Sequence, residues 1–319
     1  MTGAVLVSGG RGFIGRRLVA RLRQDGADVH VMTRGLPGPS EIQAELTRPD
    51  TLPPACSGVD TVYHCAGHAH AFACLAADEE ARHWQVNFEG TRALAEAAGQ
   101  AGVRCFVFLS SVKAQAEPGE LCADEDAPGV PDSAYGQAKR AAEEAVLEAG
   151  RRHGMRVINL RPAMVFGAGG RGNLERMAAL VRRGLFPPLP ETGNRRSMVH
   201  VDDLVAAMRL VAGDPRAAGR TYIIAHAQAP SGRGLYDALR HAVGLPPVGW
   251  AVPRALLLAA ARCGDLLQVL SGRRVPLDSE ALGRLLDSAC YSPQRIDREL
   301  GWRAVVSLEA GLWEMLHGA

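Results

Sequence analysis

The 319 residues suffice for one large domain or two interleaved ones with a sizeable core. Hydrophobic residues make up 47% and charged ones 22%, as in ordinary soluble globular proteins, and a net charge of +2 gives no reason to propose nucleic acid or an anionic membrane as partner. The seven cysteines stand singly, odd in number and without a CxxC pair, which argues against a disulfide framework or zinc knuckle and for a reducing, cytoplasmic setting.

The opening "MTGAVLVS" shows no basic segment followed by an apolar stretch and cleavage site, so it reads as a first strand and not as a signal peptide. Strands are predicted at 4–8, 28–33, 60–64, 105–110, 156–160 and 221–225, with helices at 13–25, 81–101, 135–152, 174–184 and 202–212. Such alternation predicts an α/β fold, a doubly wound parallel sheet with helices on both faces. The strands are nearly continuous apolar runs, as burial on both faces requires. Beyond residue 228 the strand signal fades, and turns such as "APSGRG" and "GLPPVGW" separate short helices, which predicts a smaller unit. The longest apolar run, "ALLLAAA" at 255–261, falls well short of the roughly 20 residues that span a bilayer. It reads as a buried or groove-lining helix.

"AVLVSGGRGFIGRRL" is a strand, a glycine turn and a helix, with Gly9, Gly12 and Gly15 at GxxGxxG spacing. The three glycines supply a tight turn, close approach of backbone to a pyrophosphate, and close helix–strand packing. The helix N-terminus adds free N–H groups and the positive end of its dipole. An acid about 20 residues beyond the loop would accept the ribose 2′-OH of NAD. Here the second strand ends at Arg34, and Asp28 at its start is too early to reach. Arg34 with Arg11 is suited to clamp a 2′-phosphate, which favours NADP(H) over NAD.

"SAYGQAK" places Tyr135 and Lys139 four residues apart on one helical face. An ammonium close to a phenol favours the phenolate and lowers its pKa from about 10 toward neutrality. That suits the tyrosine to general acid–base work. Ser111, at the end of the fourth strand, lies where open sheets bind ligands, and its hydroxyl can bond the oxygen that Tyr135 protonates. His64, His68 and His70 invite a metal reading, but only the last two are close. No carboxylate or cysteine cluster accompanies them, so no metal is expected.

"SGGRGFIG", "GVDTVYHCAG", "VNFEGTRALAEAA", "FVFLSSV", "YGQAKRAAE", "LRPAMVFG" and "RRSMVHVDDLVAAM" follow one another as in the extended short-chain dehydrogenases/reductases. The chain resembles that family of NAD(P)-dependent epimerases, dehydratases and reductases of nucleotide sugars over residues 3–226, and only loosely beyond. The resemblance implies a Rossmann domain (1–162 and about 196–227) interleaved with a nucleotide-sugar domain (about 163–195 and 228–319). It implies a catalytic trio of Ser111, Tyr135 and Lys139, with Lys139 also holding the nicotinamide ribose. Gly9, Arg11, Gly12, Phe13, Ile14, Gly15, Arg34, Ala66 and Gly67 would face the cofactor, and Asn87 would support the site. His70, Ser111, Asn173 and Arg196 would meet the nucleotide sugar, the last two at its phosphates.

Departures narrow the chemistry. Nucleotide-sugar 4,6-dehydratases carry Thr-Asp-Glu where this chain reads Ser111-Val112-Lys113, so the acid and base for water elimination are missing. "SSVK", "HAHAF", "GRGNLERM" and "NRRSMVHVDDL" look more like the bacterial subgroup that reduces UDP-4-keto-6-deoxy-N-acetylglucosamine, whose members are often labelled 4-epimerases. C4 ketone reduction is the first expectation and UDP-sugar 4-epimerisation with bound NAD the alternative. A non-catalytic nucleotide-sensing protein is a third reading. The resemblance further implies a homodimer through a four-helix bundle of the helices near 81–101 and 135–152; the net charge and the short apolar run lead to the expectation of no nucleic-acid partner and no stable membrane insertion.

Overall fold

The computed structural model describes residues 3–68, 77–170, 172–271 and 278–318. Seven strands form one parallel sheet: β1 (Ala4–Ser8), β2 (Val29–Thr33), β3 (Glu41–Gln43), β4 (Val59–His64), β5 (Cys105–Leu109), β7 (Arg156–Pro162) and β10 (Thr221–Ile224). Their order is β10-β7-β5-β4-β1-β2-β3, and every pairing is parallel. The order reverses between β1 and β4, so a crevice opens beyond their carboxyl ends.

Alternation along the strands splits the core. Val5 and Val7 face α1 (Phe13–Gln24) and α7 (Val201–Gly213), against Leu18, Leu22, Leu204 and Val211. Leu6, Val62 and Phe106 point the other way, onto α4 (Gly90–Gln100) and α5 (Ala134–His153), against Leu94, Ala98, Ala142 and Val146. All six predicted strands and five predicted helical stretches form. The stretch 81–101 is not one regular helix: α3 (Ala77–His83) runs through a π-helical segment, Trp84–Glu89, into α4. A π-bulge of this kind is common beside functional sites. The short α2 (Leu52–Cys56) is entered through two prolines, tolerated at a helix start because their missing N–H groups have no partner there anyway.

Most of the remaining helices pack as a second, mostly helical unit: α6 (Asn173–Arg182), α8 (Gly232–Ala242), α9 (Arg254–Ser271), α10 (Ser279–Leu286) and α12 (Leu308–His317), whereas α11 (Gln294–Leu300) packs on the sheet beside β10 through Ile296 and Leu300. The core of the second unit joins Phe166, Leu174, Met198, Tyr236, Leu257 and Leu312. Two parallel strand pairs stitch it to the sheet: β8 (Met164–Phe166) with β9 (Met198–His200), and β6 (Cys122–Ala123) with β11 (Cys290–Tyr291).

Two expectations fail. Cys122 and Cys290, paired across β6 and β11, form a disulfide although 168 residues separate them; strand register, invisible in Cys spacing, brings them together. The run 255–261 is for the most part not buried. It starts α9, of which only Leu257, Ala261 and Gly264 are buried.

Candidate active site

The loop between β1 and α1 is built on close approach. Gly9 has φ +69°, and a Cβ there would sit 2.7 Å from the Ala66 nitrogen, beyond the end of β4. A Cβ on Gly15 would lie 2.2 Å from the Gly9 oxygen, so any other residue would lift α1 off the loop. The Gly12 amide donates to the Gly9 oxygen at 2.9 Å, and Gly12 is the N-cap of α1. Phe13 and Ile14 then open the helix. At the crevice floor the buried His64 ring bonds Ser8 Oγ (2.6 Å) and Thr91 Oγ1 (2.9 Å), and burial holds its pKa down at about 3. It is a neutral core histidine bridging β1 to α4.

The helix α1 is braced from behind. Arg17 reaches Asp202 of α7 at 2.7 and 3.1 Å and Glu314 of α12, whose other oxygen lies 3.2 Å from His200 Nε2. His200, Asp202 and Glu314 are of the kind that hold a metal, but the Arg17 guanidinium already supplies the cation their carboxylates engage.

The catalytic candidates converge. One cavity of about 230 Å³ is lined by Ile14, Gly67, Ser110, Ser111, Tyr135 and Lys139, together with Cys65, Leu109, Pro162, Ala163 and Val165. Helix α5 begins at its N-cap Ser133, whose Oγ accepts from the Gly136 N–H at 3.1 Å. A Cβ at Gly136 would stand 2.1 Å from the Lys113 oxygen. That close contact seats the first turn of α5, and with it Tyr135, on the turn that Ser111 caps.

The electrostatics differ from the sequence expectation. Burial pushes the Tyr135 phenol above its ordinary value, and hydrogen bonding with Ser111 pulls it partly back. Lys139 is not among the groups acting on the phenol. Its ammonium donates to the Leu109 oxygen at 2.9 Å, lies 4.7 Å from the Phe108 ring centre, and is lowered by burial to about 8 despite Glu143 one turn along. The lysine sits under the Gly67 backbone, 3.4 Å from where a Cβ would be. Asn87, fully buried in the π segment, holds the neighbouring residue: its Oδ1 accepts from the His68 N–H at 2.7 Å and its Nδ2 donates to the His68 oxygen at 2.9 Å.

Other predicted residues fare differently. Arg11 does not stand ready for a 2′-phosphate, because Glu41 of β3 takes it through two bonds, 3.0 and 2.6 Å. Arg34 is exposed at the end of β2. Asn173 opens α6 on the surface and does not line the cavity. His70 lies outside the described residues. Arg196 is bonded to the Asp287 oxygen at 3.0 Å; burial lowers both Arg196 and Lys113, and Arg284 nearby lowers each further, as Arg196 does Lys113. Arg284 of α10 carries no motif signal, and only the fold brings it to Lys113, two residues past Ser111.

A dinucleotide fits these residues. The glycine cradle has no room for side chains, the N-terminus of α1 offers unpaired N–H groups, and Ser110 Oγ is buried and without a partner among the described residues while lining the cavity. Tyr135 and Lys139 flank the same space.

Comparison with known proteins agrees with this geometry. The model of the NAD dependent epimerase/dehydratase family matches residues 5–225. A UDP-glucose 4-epimerase of Vibrio cholerae is 29% identical over 257 residues, covering 78% of this chain and 74% of its own. A 2-alkyl-3-oxoalkanoate reductase of Stenotrophomonas maltophilia is 28% identical over 325 residues, 97% of each chain. Among solved structures, MoeE5 in complex with UDP-glucose and NAD superposes with a TM-score of 0.73 at 26% identity, covering 97% of this chain and 96% of its own. The sequence order of motifs, the seven-stranded parallel sheet and the glycine cradle all agree: the chain belongs to the NAD dependent epimerase/dehydratase family.

Proposed function

We propose that the protein is an oxidoreductase acting at C4 of a nucleotide-linked hexose, most directly the reduction of a UDP-4-keto-6-deoxy-N-acetylhexosamine. The observation that carries this reading is the convergence of Ser111, Tyr135, Lys139, Gly67 and Ile14 on one cavity. A reduced nicotinamide held there beside Gly67 and Lys139 would supply the hydride for the carbonyl carbon. Tyr135 is held as the neutral phenol, the form that gives up a proton to the carbonyl oxygen. Ser111, on the same cavity wall, orients that oxygen. Lys139, charged below about pH 8, anchors the ribose hydroxyls, and Ser111 is the group bonded to the phenol that gives up its proton. Lys113, Arg196 and Arg284 form the basic edge that receives the diphosphate. In this reading 163–195 and 228–319 make up the sugar-nucleotide unit, and copies pair through α4 and α5.

The neutral phenol and the reductase name of the relative that spans 97% of the chain both favour reduction. Epimerisation is the second reading, favoured by the Vibrio relative; there Tyr135 must first act as phenolate on the O4 proton. Incubation with NADH or NADPH and a UDP-4-keto-6-deoxy sugar decides between them. Net loss of absorbance at 340 nm, ~ the reduced-nicotinamide band, supports the reductase; interconversion of UDP-sugars without net cofactor turnover overturns it. Tyr135→Phe should lower kcat about 10²- to 10⁴-fold while dinucleotide binding, followed by fluorescence, persists.

A further inference from the structure

Helix α9 packs on the protein only along a narrow stripe, Leu257, Ala261 and Gly264. The other three sides carry large aliphatic groups in water: Leu256 is 62% exposed, Leu266 60%, Leu267 55%, Val269 81% and Leu270 74%. Trp250, 62% exposed, stands four residues ahead of the helix. No other helix presents so many exposed large apolar side chains among the described residues, and none of the exposed ones lies on α4 or α5. Scattered exposed leucines need no explanation, but a contiguous apolar helix face does.

Charge identifies what covers it. Arg254 and Arg262 are exposed on α9 itself, and Arg182 and Arg183 end α6. The α6 end leads into a loop tied to the approach of α9 by the Val252 N–H bond to the Pro188 oxygen, 2.9 Å. The single carboxylate of α9, Asp265, is occupied by Ser279, whose N–H and hydroxyl bond it at 3.0 and 2.5 Å. The face is therefore apolar and basic together. A second copy docked about a twofold axis would set these arginines against their own kind. An anionic lipid surface matches both properties: leucines and Trp250 enter the headgroup boundary while arginine stems snorkel to the phosphates. We infer that α9 with Trp250 is a peripheral docking face for an anionic membrane surface. The helix lies flat along the bilayer, consistent with no helix among the described residues being long and apolar enough to cross it. The net charge of +2 conceals this local asymmetry.

The test is co-sedimentation of the full chain with vesicles of phosphatidylcholine alone, or with about one third phosphatidylglycerol. The wild type should pellet several-fold more with the anionic vesicles and be released by high salt, and Trp250 emission should shift to the blue, absent in Trp250→Phe. Leu266→Gln with Leu270→Gln should cut binding at least tenfold, and Arg254→Gln with Arg262→Gln several-fold. These positions are exposed, so the thermal midpoint and dinucleotide binding should not change. No vesicle binding, or binding indifferent to the leucine changes, overturns the inference. So does a concentration-dependent dimer in sedimentation velocity that the leucine variant dissolves, because a second copy would then be the occupant.

Discussion

Arg11 and Glu41 close the outer edge of the glycine loop, with Nε 3.0 Å from one carboxylate oxygen and Nη2 2.6 Å from the other. The pair holds the Glu41 carboxyl below its usual range, and the Gly38 amide adds a third bond at 2.7 Å. A carboxylate there repels a 2′-phosphate and neutralises the arginine that would bind one. The wild type should therefore use NADH better than NADPH. Glu41→Gln should move the ratio of the two kcat/KM values toward NADPH by about tenfold, one charge contact's worth. An unchanged ratio would show that Arg34 alone governs the choice.

Lys139 gives the protein a defined alkaline response. Its folded value of about 8 lies below the ordinary 10.5, so between those values the unfolded chain binds more protons than the native one. Its contribution to stability therefore rises with pH across that window and is flat below it. Urea unfolding at about pH 7 and at about pH 10 should show the wild type gaining on the order of 3 kcal/mol relative to Lys139→Met, whose own pH dependence lacks this component.

Gly136→Ala tests the seating of Tyr135. The new methyl meets the Lys113 oxygen at 2.1 Å, and because that atom is backbone the first turn of α5 must back away from Ser111. Stability should fall by about 1–3 kcal/mol. A shift of that order between phenol and serine should lower kcat by roughly 10²-fold with a smaller change in KM. Kinetics beside a thermal melt separate the two effects.

Arg161 and Glu143 form a fully buried pair, with bonds of 2.9 and 2.6 Å between β7 and α5. Arg161 also reaches the Gln115 side chain at 3.0 Å, so the pair fixes the segment that leaves Ser111. Glu143→Gln or Arg161→Met alone should cost about 3–5 kcal/mol, whereas Arg161→Met with Glu143→Leu should cost less than the sum. Denaturant unfolding of the three variants measures the coupling.

How far the sequence speaks depends on the range of the interaction. The sheet, its flanking helices and the glycine loop were legible because each rests on local periodicity and local backbone need. The serine, tyrosine and lysine of the cavity were legible as motifs, but not their electrostatics. The four-residue spacing suggested an ammonium under a phenol, while the helix instead aims Lys139 at the Leu109 oxygen beneath Gly67. Arg11 misled for a related reason: its partner stands 30 residues away on β3, a strand of three residues with no periodic signal. The Cys122–Cys290 bond and the approach of Arg284 to Lys113 depend on how the helical unit folds back, which no short stretch encodes. Exposure of α9 was hidden too, since an apolar run looks the same whether it is covered or bare.

Arg17 makes Glu314 of α12 part of the glycine-loop element. Glu314 lies 297 residues along the chain from Arg17, yet through this guanidinium it steadies the helix whose tip the dinucleotide would occupy. Unwinding that turn of α12 would let α1 rock on the sheet and weaken the grip on a ligand held about one turn away, at the tip of that helix. Helices α1 and α12 are in this sense one mechanical part.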